Sequence, residues 1–169
     1  LTTTGYKYLE IGINVGPPSY VEIAIGDHRG NELILSLETW KGLYEQRGHI
    51  QNCLWNRGDI PSDSISVGPL TVRFGVMNNA KLIRLESFDV RLAMTESTLL
   101  SMFNLDRCID IMFDRLNGII EKVDAKFKRF SNIAASVTKD VSIAIRDSDY
   151  FDENQLVDCE LLALVFSNM

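Results

Sequence analysis

The sequence predicts an α+β protein made of two antiparallel sheet-then-helix units, with a long second helix and a C-terminal docking helix. The first observation is order: segments with apolar residues at a period of two precede segments with a helical period, and this happens twice. The second is the stretch from Thr95 to Phe130. There Met102, Leu105, Ile109, Met112, Leu116, Ile119, Val123, Phe127 and Phe130 recur at alternating steps of three and four, one stripe on a helix of about nine turns. Phe103, Phe113 and Ile120 widen that stripe, so the rod needs a covering surface along its length. The stripe from Met102 to Phe127 is accordingly expected to be covered by the sheets or, as the seam of a homo-oligomer, a dimer, by a sister subunit.

Taken in order, Tyr6 to Asn14 alternates, with Leu9, Ile11 and Ile13 on one side and Tyr6, Tyr8 and Glu10 on the other, as a half-buried strand does. Gly16, Pro17 and Pro18 interrupt it. Tyr20 to Ile25 alternates again, and Gly26 to Gly30 turns the chain into a third strand at Glu32 to Leu35. A helix follows from Glu38 to about Asn56, weakened by Gly42 and Gly48, the second of which can split it. Arg57 to Ser64 is a connector rich in turn residues. Strand patterns return at Ile65 to Val67, Leu70 to Met77, Lys81 to Glu86 and Ser87 to Met94, with a turn at Asn78-Asn79. Thr95 is the expected cap of the long helix. Val137 to Ile145 reads as a strand, Arg146 to Glu153 as an acidic turn, and Leu156 to Phe166 as a buried closing helix.

The expected organisation is a first sheet-and-helix unit over 1–60, a second over 61–130 and an extension over 131–169, all in one compact domain. Tyr20 to Glu38 and Thr71 to Glu86 share a pattern of Val-rich strand, polar turn and short strand containing Leu-Ile, which suggests a duplicated module about a local twofold axis.

The 169 residues are enough for one core, and 46% hydrophobic with 24% charged residues marks a globular chain. No apolar run approaches the roughly 20 residues that span a bilayer, so no membrane partner is expected. Leu1 in place of an initiator Met suggests a processed chain or an excised domain. Cys53, Cys108 and Cys159, odd in number and without paired spacing, point to a reducing, intracellular setting. The formal charge of −6 argues against a surface that tracks phosphate everywhere. Up to Thr95, however, nine Lys and Arg stand against ten Asp and Glu, whereas from Glu96 the count is eight against thirteen. Only the first part can present a local basic face.

The run Asn31-Glu32-Leu33-Ile34-Leu35-Ser36-Leu37-Glu38-Thr39-Trp40-Lys41-Gly42-Leu43-Tyr44-Glu45-Gln46 resembles the last strand and helix start of the PC4 transcriptional coactivator family. That family has an apolar strand, Ser-Leu, a two-residue spacer, Trp, Leu and Glu-Gln there. The resemblance implies curved antiparallel sheets followed by a helix, dimerisation through helices, single-stranded DNA or RNA lying over the sheets, and a nuclear location. The duplicated plan is similar to the Whirly and Pur-alpha proteins. The family's basic, aromatic-edged loop is shortened here to Asp27-His28-Arg29-Gly30, and its Ser/Lys-rich leader is missing.

Binding a single strand requires cations along a groove and aromatic faces for bases. The candidates are Tyr6, Tyr8 and Tyr20 on the first strands, with Arg29, Arg73, Lys81, Arg84 and Arg91 from the turns and second sheet. The alternative is that these are solvated cross-strand pairs. Trp40 and Trp55 read as core anchors, and Lys126, Lys128 and Arg129 as cations suited to a helix end. His49 and Cys53 lie one helical turn apart, but two ligands do not make a zinc site. Asp147, Asp149, Asp152 and Glu153 lack the glycine of a calcium loop. No catalytic set, metal or cofactor is expected. The function expected is a non-catalytic single-stranded nucleic-acid-binding module, with an oligomerisation or scaffold module as the alternative.

Overall fold

The computed structural model describes residues 7–16, 18–55, 64–137 and 140–167. Two compact units emerge: the described residues up to Gly12 with Val21–Arg115, and Ile13–Tyr20 with the described residues from Leu116 onward.

In the first unit, β1 (Lys7–Asn14, its last two residues belonging to the second unit), β2 (Tyr20–Asp27) and β3 (Glu32–Leu35) form a three-stranded sheet in sequential order. β2 and β3 pair antiparallel, Ile23 opposite Leu35 and Gly26 opposite Glu32. The turn is organised by Asp27, whose carboxylate accepts from the backbone N–H of Arg29 and Asn31 and from the Asn31 side chain. Burial raises the Asp27 pKa, but these hydrogen bonds outweigh it and leave it below the ordinary carboxylate value.

Ser36 then caps α1 (Leu37–Glu45) by accepting from the Thr39 N–H at 3.1 Å. The split allowed for at Gly48 occurs two residues earlier, where α1 and α2 (Arg47–Trp55) part at Gln46. Gly42 lies where α1 meets β4, since a Cβ there would stand 2.7 Å from a Val67 methyl.

β4 (Ile65–Val67), β5 (Leu70–Met77), β6 (Ala80–Ser87) and β7 (Val90–Thr95) form a four-stranded antiparallel meander. Asn78 and Asn79 both take positive φ, as the tight two-residue β5–β6 turn requires. The β6–β7 turn is Phe88-Asp89, two residues that fall within the strand expected over Ser87 to Met94. The inward residues of both sheets, Ile23, Ile25, Leu33, Leu35, Val72, Ile83, Leu85, Leu92 and Met94, share one core with Trp40, Leu43 and Leu99. Each fully buried aliphatic contributes about 1.5–3 kcal/mol relative to exposure.

The expected rod from Thr95 to Phe130 is not continuous. Thr95 does cap α3 (Glu96–Phe103), but the chain breaks before α4 (Asp106–Asn117) and again before α5 (Ile120–Ser136). At each break an N–H bonds three residues back, Leu105 to Met102 and Ile119 to Leu116, which tightens the turn and ends the helix. Asn117-Gly118 is a helix-stop signal that the uninterrupted stripe concealed. The seam assigned to the stripe is corrected with it. Met102 and Ile109 are buried in the core of the first unit, Val123 in that of the second, and Leu116, Ile119 and Phe127 are partly covered. Only Leu105 and Met112 of that set are exposed.

In the second unit, α5, α6 (Val141–Arg146) and α7 (Leu156–Ser167) pack around Phe130, Ile145, Leu161 and Val165. α6 replaces the strand expected over Val137 to Ile145. Val141, Ile143 and Ile145 alternate, but Val141 and Ile145 are four apart and buried on one helical face while Ile143 points out. Asp158, fully buried on α7, accepts from Lys126 Nζ at 2.6 Å and from the Asp152 N–H at 2.9 Å. No helix among the described residues is long and apolar enough to cross a membrane.

Candidate nucleic-acid interface

The alternation of β5, β6 and β7 sends Val72, Ile83, Leu85, Leu92 and Met94 into the core, and therefore sends Arg73, Arg84 and Arg91 to the opposite face. The register fixes their spacing. Arg73 stands directly opposite Arg84, and Glu86 directly opposite Arg91. Arg73 Nε donates to Glu86 at 2.9 Å, while Arg84 and Arg91 approach the same carboxylate at 3.5 and 3.9 Å. One carboxylate thus sits among three guanidiniums, each about half exposed or more. Burial raises the Glu86 pKa, but the Arg73 hydrogen bond and the charges of Arg73 and Arg91 prevail and hold it below the usual carboxylate value. Ala93 lies across from Arg84, and one register row beyond the Arg73–Arg84 pair Gly75, opposite Leu82, has open space where a side chain would be, so the floor is low at these two positions.

Two local choices on this sheet work against stability. Like charges directly across a strand pair are unfavourable, typically by a few tenths of a kcal/mol to about 1 kcal/mol, and Arg73 opposite Arg84 is such a pair. Phe88 has φ 53°, where a bulky side chain is strained by about 1–2 kcal/mol, and it is 97% exposed. Such violations gather at functional sites because stability alone does not favour them.

The other sequence candidates lie elsewhere. Tyr6 lies outside the described residues. Tyr8 is on the outer face of the first sheet, where its hydroxyl donates to Glu32 at 2.6 Å and Glu10 and Glu22 share its side. That acidic setting repels phosphate. Tyr20, half exposed, belongs to the second unit. Arg29 is exposed in the β2–β3 turn. Lys81 is corrected: its place in the alternation is with Ile83 and Leu85, opposite the arginines, and its Nζ donates to the Leu54 carbonyl at the end of α2.

Trp40 is wholly buried, edge-on to Phe103 at 6.0 Å between centroids, and its indole N–H donates to Asp106 at 2.8 Å. Trp55, expected in the core, is instead 66% exposed and bonds Glu96. Phe88 is not distinguished in the sequence, because its neighbours Ser87 and Val90 alternate with Leu85 and Leu92 as strand residues do. The register shift that a two-residue turn introduces was the missing signal.

Among the described residues no group of His, Cys, Asp or Glu is placed to hold a metal ion, and His49 is exposed. In the depression lined by Pro18, Asp124, Phe127, Lys128, Ser131 and Asn132, the Asp124 carboxylate is engaged by the Ser19 backbone N–H and hydroxyl. No protein-family model matches this chain, and neither a curated protein nor a solved structure does.

Proposed function

We propose that this chain is a non-catalytic nucleic-acid-binding module that takes a single strand across the outer face of β5, β6 and β7. The observation that carries the reading is the cluster of Arg73, Arg84 and Arg91 around the single carboxylate of Glu86. This face has a local excess of two positive charges on a protein of net charge −6. Guanidinium groups engage phosphate through paired N–H donors, and the low floor at Gly75 and Ala93 lets a backbone approach them. The reading rests on the sheet, and dimerisation through a continuous helix no longer supports it.

The test is a titration of labelled single-stranded DNA and RNA at two salt concentrations with the wild type and the triple variant Arg73→Gln, Arg84→Gln, Arg91→Gln. Each phosphate contact to a single strand adds about 0.7 to the salt slope, so losing three should flatten it by about 2. Absence of binding at low salt, or a slope that the triple variant leaves intact, removes the proposal.

A second reading, an oligomerisation or scaffold module, draws on Leu105, Ile111 and Met112, which leave apolar surface exposed around α4. Light scattering that finds a monomer at micromolar concentration eliminates it.

A further inference from the structure

We infer that Phe88, at the tip of the β6–β7 hairpin, stacks on an unpaired base and gives the arginine face its preference for single strands over duplex. This rests on the proposed function and adds a residue, and a ligand feature, that phosphate contacts alone do not supply.

The outer face of β5–β7 carries no aromatic residue of its own among those described, because the alternation turns Phe74 to the inner side. A face of arginines holds phosphates of any nucleic acid, paired or unpaired. Discrimination requires a group that meets the flat side of a base, which only an unstacked base offers. Phe88 is the aromatic at hand. Its ring is 97% exposed, and it sits one position beyond the last strand pair, Ser87 with Val90. Arg91, paired with Glu86, is the next pair inward. At about 3.4 Å per strand residue, the turn begins about 7 Å beyond the Glu86–Arg91 pair along the hairpin.

The turn itself singles out this residue. Phe88 takes φ 53°, a conformation that glycine or asparagine adopts with less strain, and the neighbouring β5–β6 turn does use Asn78 and Asn79 at positive φ. The left-handed backbone needs no phenyl ring, and no packing within the fold retains one that is almost wholly in solvent. Asp89, next to it in the turn, bears a negative charge that keeps phosphate off the tip, leaving the tip to the base and the arginines to the backbone.

The experiment compares Phe88→Asn with the wild type and the triple arginine variant. The probes are an oligothymidylate, an abasic oligodeoxynucleotide of equal length and a duplex. Asparagine suits the left-handed backbone, so this variant should unfold at a temperature no lower than the wild type. We expect it to bind the thymidylate about tenfold more weakly, with the same salt slope, and the abasic strand as before. Phe88→Trp should keep the affinity and show extra indole emission that is quenched by the thymidylate and not by the abasic strand. Equal wild-type affinity for the thymidylate and abasic strands, or full affinity in Phe88→Asn, overturns the assignment of Phe88 while leaving the arginine face standing. A salt slope untouched by the arginine variant, with the thymidylate still preferred, instead overturns the arginine reading and keeps the stacking residue.

Discussion

Tyr8 and Glu32, on the two outer strands of the three-stranded sheet, are joined by a 2.6 Å hydrogen bond that passes over Gly26. The phenol ring lies so close to the central strand that a Cβ on Gly26 would collide with it. Glycine at this position makes room for the ring, and the ring covers backbone that glycine leaves bare. The hydrogen bond to Glu32, followed by burial and the negative charges of Glu32, Glu10 and Asp27, pushes the Tyr8 hydroxyl up to about 12. A group whose folded value is raised contributes stability below its unfolded value of 10.0 and loses it as pH rises through about 12. Phenolate absorbance should therefore show one late-titrating tyrosine, absent in Tyr8→Phe. Gly26→Ala should displace the ring and return that tyrosine toward the ordinary range. A titration indistinguishable between wild type and Tyr8→Phe would contradict the contact.

Glu86 balances three arginines, so Glu86→Gln should act in opposite directions on folding and binding. With the guanidiniums partly solvated, its loss should cost about 1 kcal/mol of stability, read as a lower denaturation midpoint. The affinity for single strands should rise severalfold, with a steeper salt slope, because a phosphate meets arginines no longer neutralised. Because the folded Glu86 value is depressed, its contribution is present above the unfolded value, near 4.5, and is lost as pH falls through the folded value. The stability gap between wild type and Glu86→Gln should accordingly narrow as the pH falls below 4.5 and close once it has passed the depressed folded value.

Asp106 collects the Trp40 indole N–H at 2.8 Å and Lys41 Nζ at 2.8 Å, while Asp110 holds the same ammonium. Burial disfavours the charged Lys41, but the hydrogen bonds it donates to both carboxylates more than offset it and raise its pKa. Asp106→Ala should leave a wholly buried indole donor unsatisfied, at a loss of about 3 kcal/mol in chemical denaturation. Asp106→Asn keeps an acceptor and should lose much less. Equal losses in the two variants would show that the indole bond is not what matters.

Asp158 is buried with Lys126 and the Asp152 N–H as partners. Asp158→Ala strands the ammonium and frees the turn before α7, which should remove about 3 kcal/mol from the second unit. Amide hydrogen exchange should reveal it as lost protection across α5, α6 and α7. Unchanged protection there would mean that Asp158 is not holding the unit together.

Strands and turns with period-two patterns were legible because alternation states a face and a register at once, as in Thr71 to Met77 and its partner Lys81 to Glu86. The pattern was less informative where two periods coincide: Val141, Ile143 and Ile145 suit a strand and also leave two residues four apart on a helix. Continuity of the Met102 to Phe130 stripe did not reveal its breaks, because apolar spacing records which residues are covered and says nothing of what covers each. Of the candidate site, Arg73, Arg84 and Arg91 are named from the sequence as cations of the second sheet together with Lys81, and the register puts the three arginines on one face. The fate of Lys81 depended on parity against Ile83, and that of Trp55 on Glu96, a partner 41 residues away. Phe88 was hidden by an alternation that continues on both sides of a tight turn.

The juxtaposition of Arg73 and Arg84 has an outcome for the history of this surface. A laboratory lineage bred only for heat tolerance should discard one of the two early, replacing it with threonine or glutamate, since their like charges oppose each other across the strand pair and the one that stays, with Arg91, still partners Glu86. A lineage bred for retention on an immobilised oligonucleotide should preserve the pair. Which cationic residue disappears first, and under which regime, would read out what the protein has been kept for.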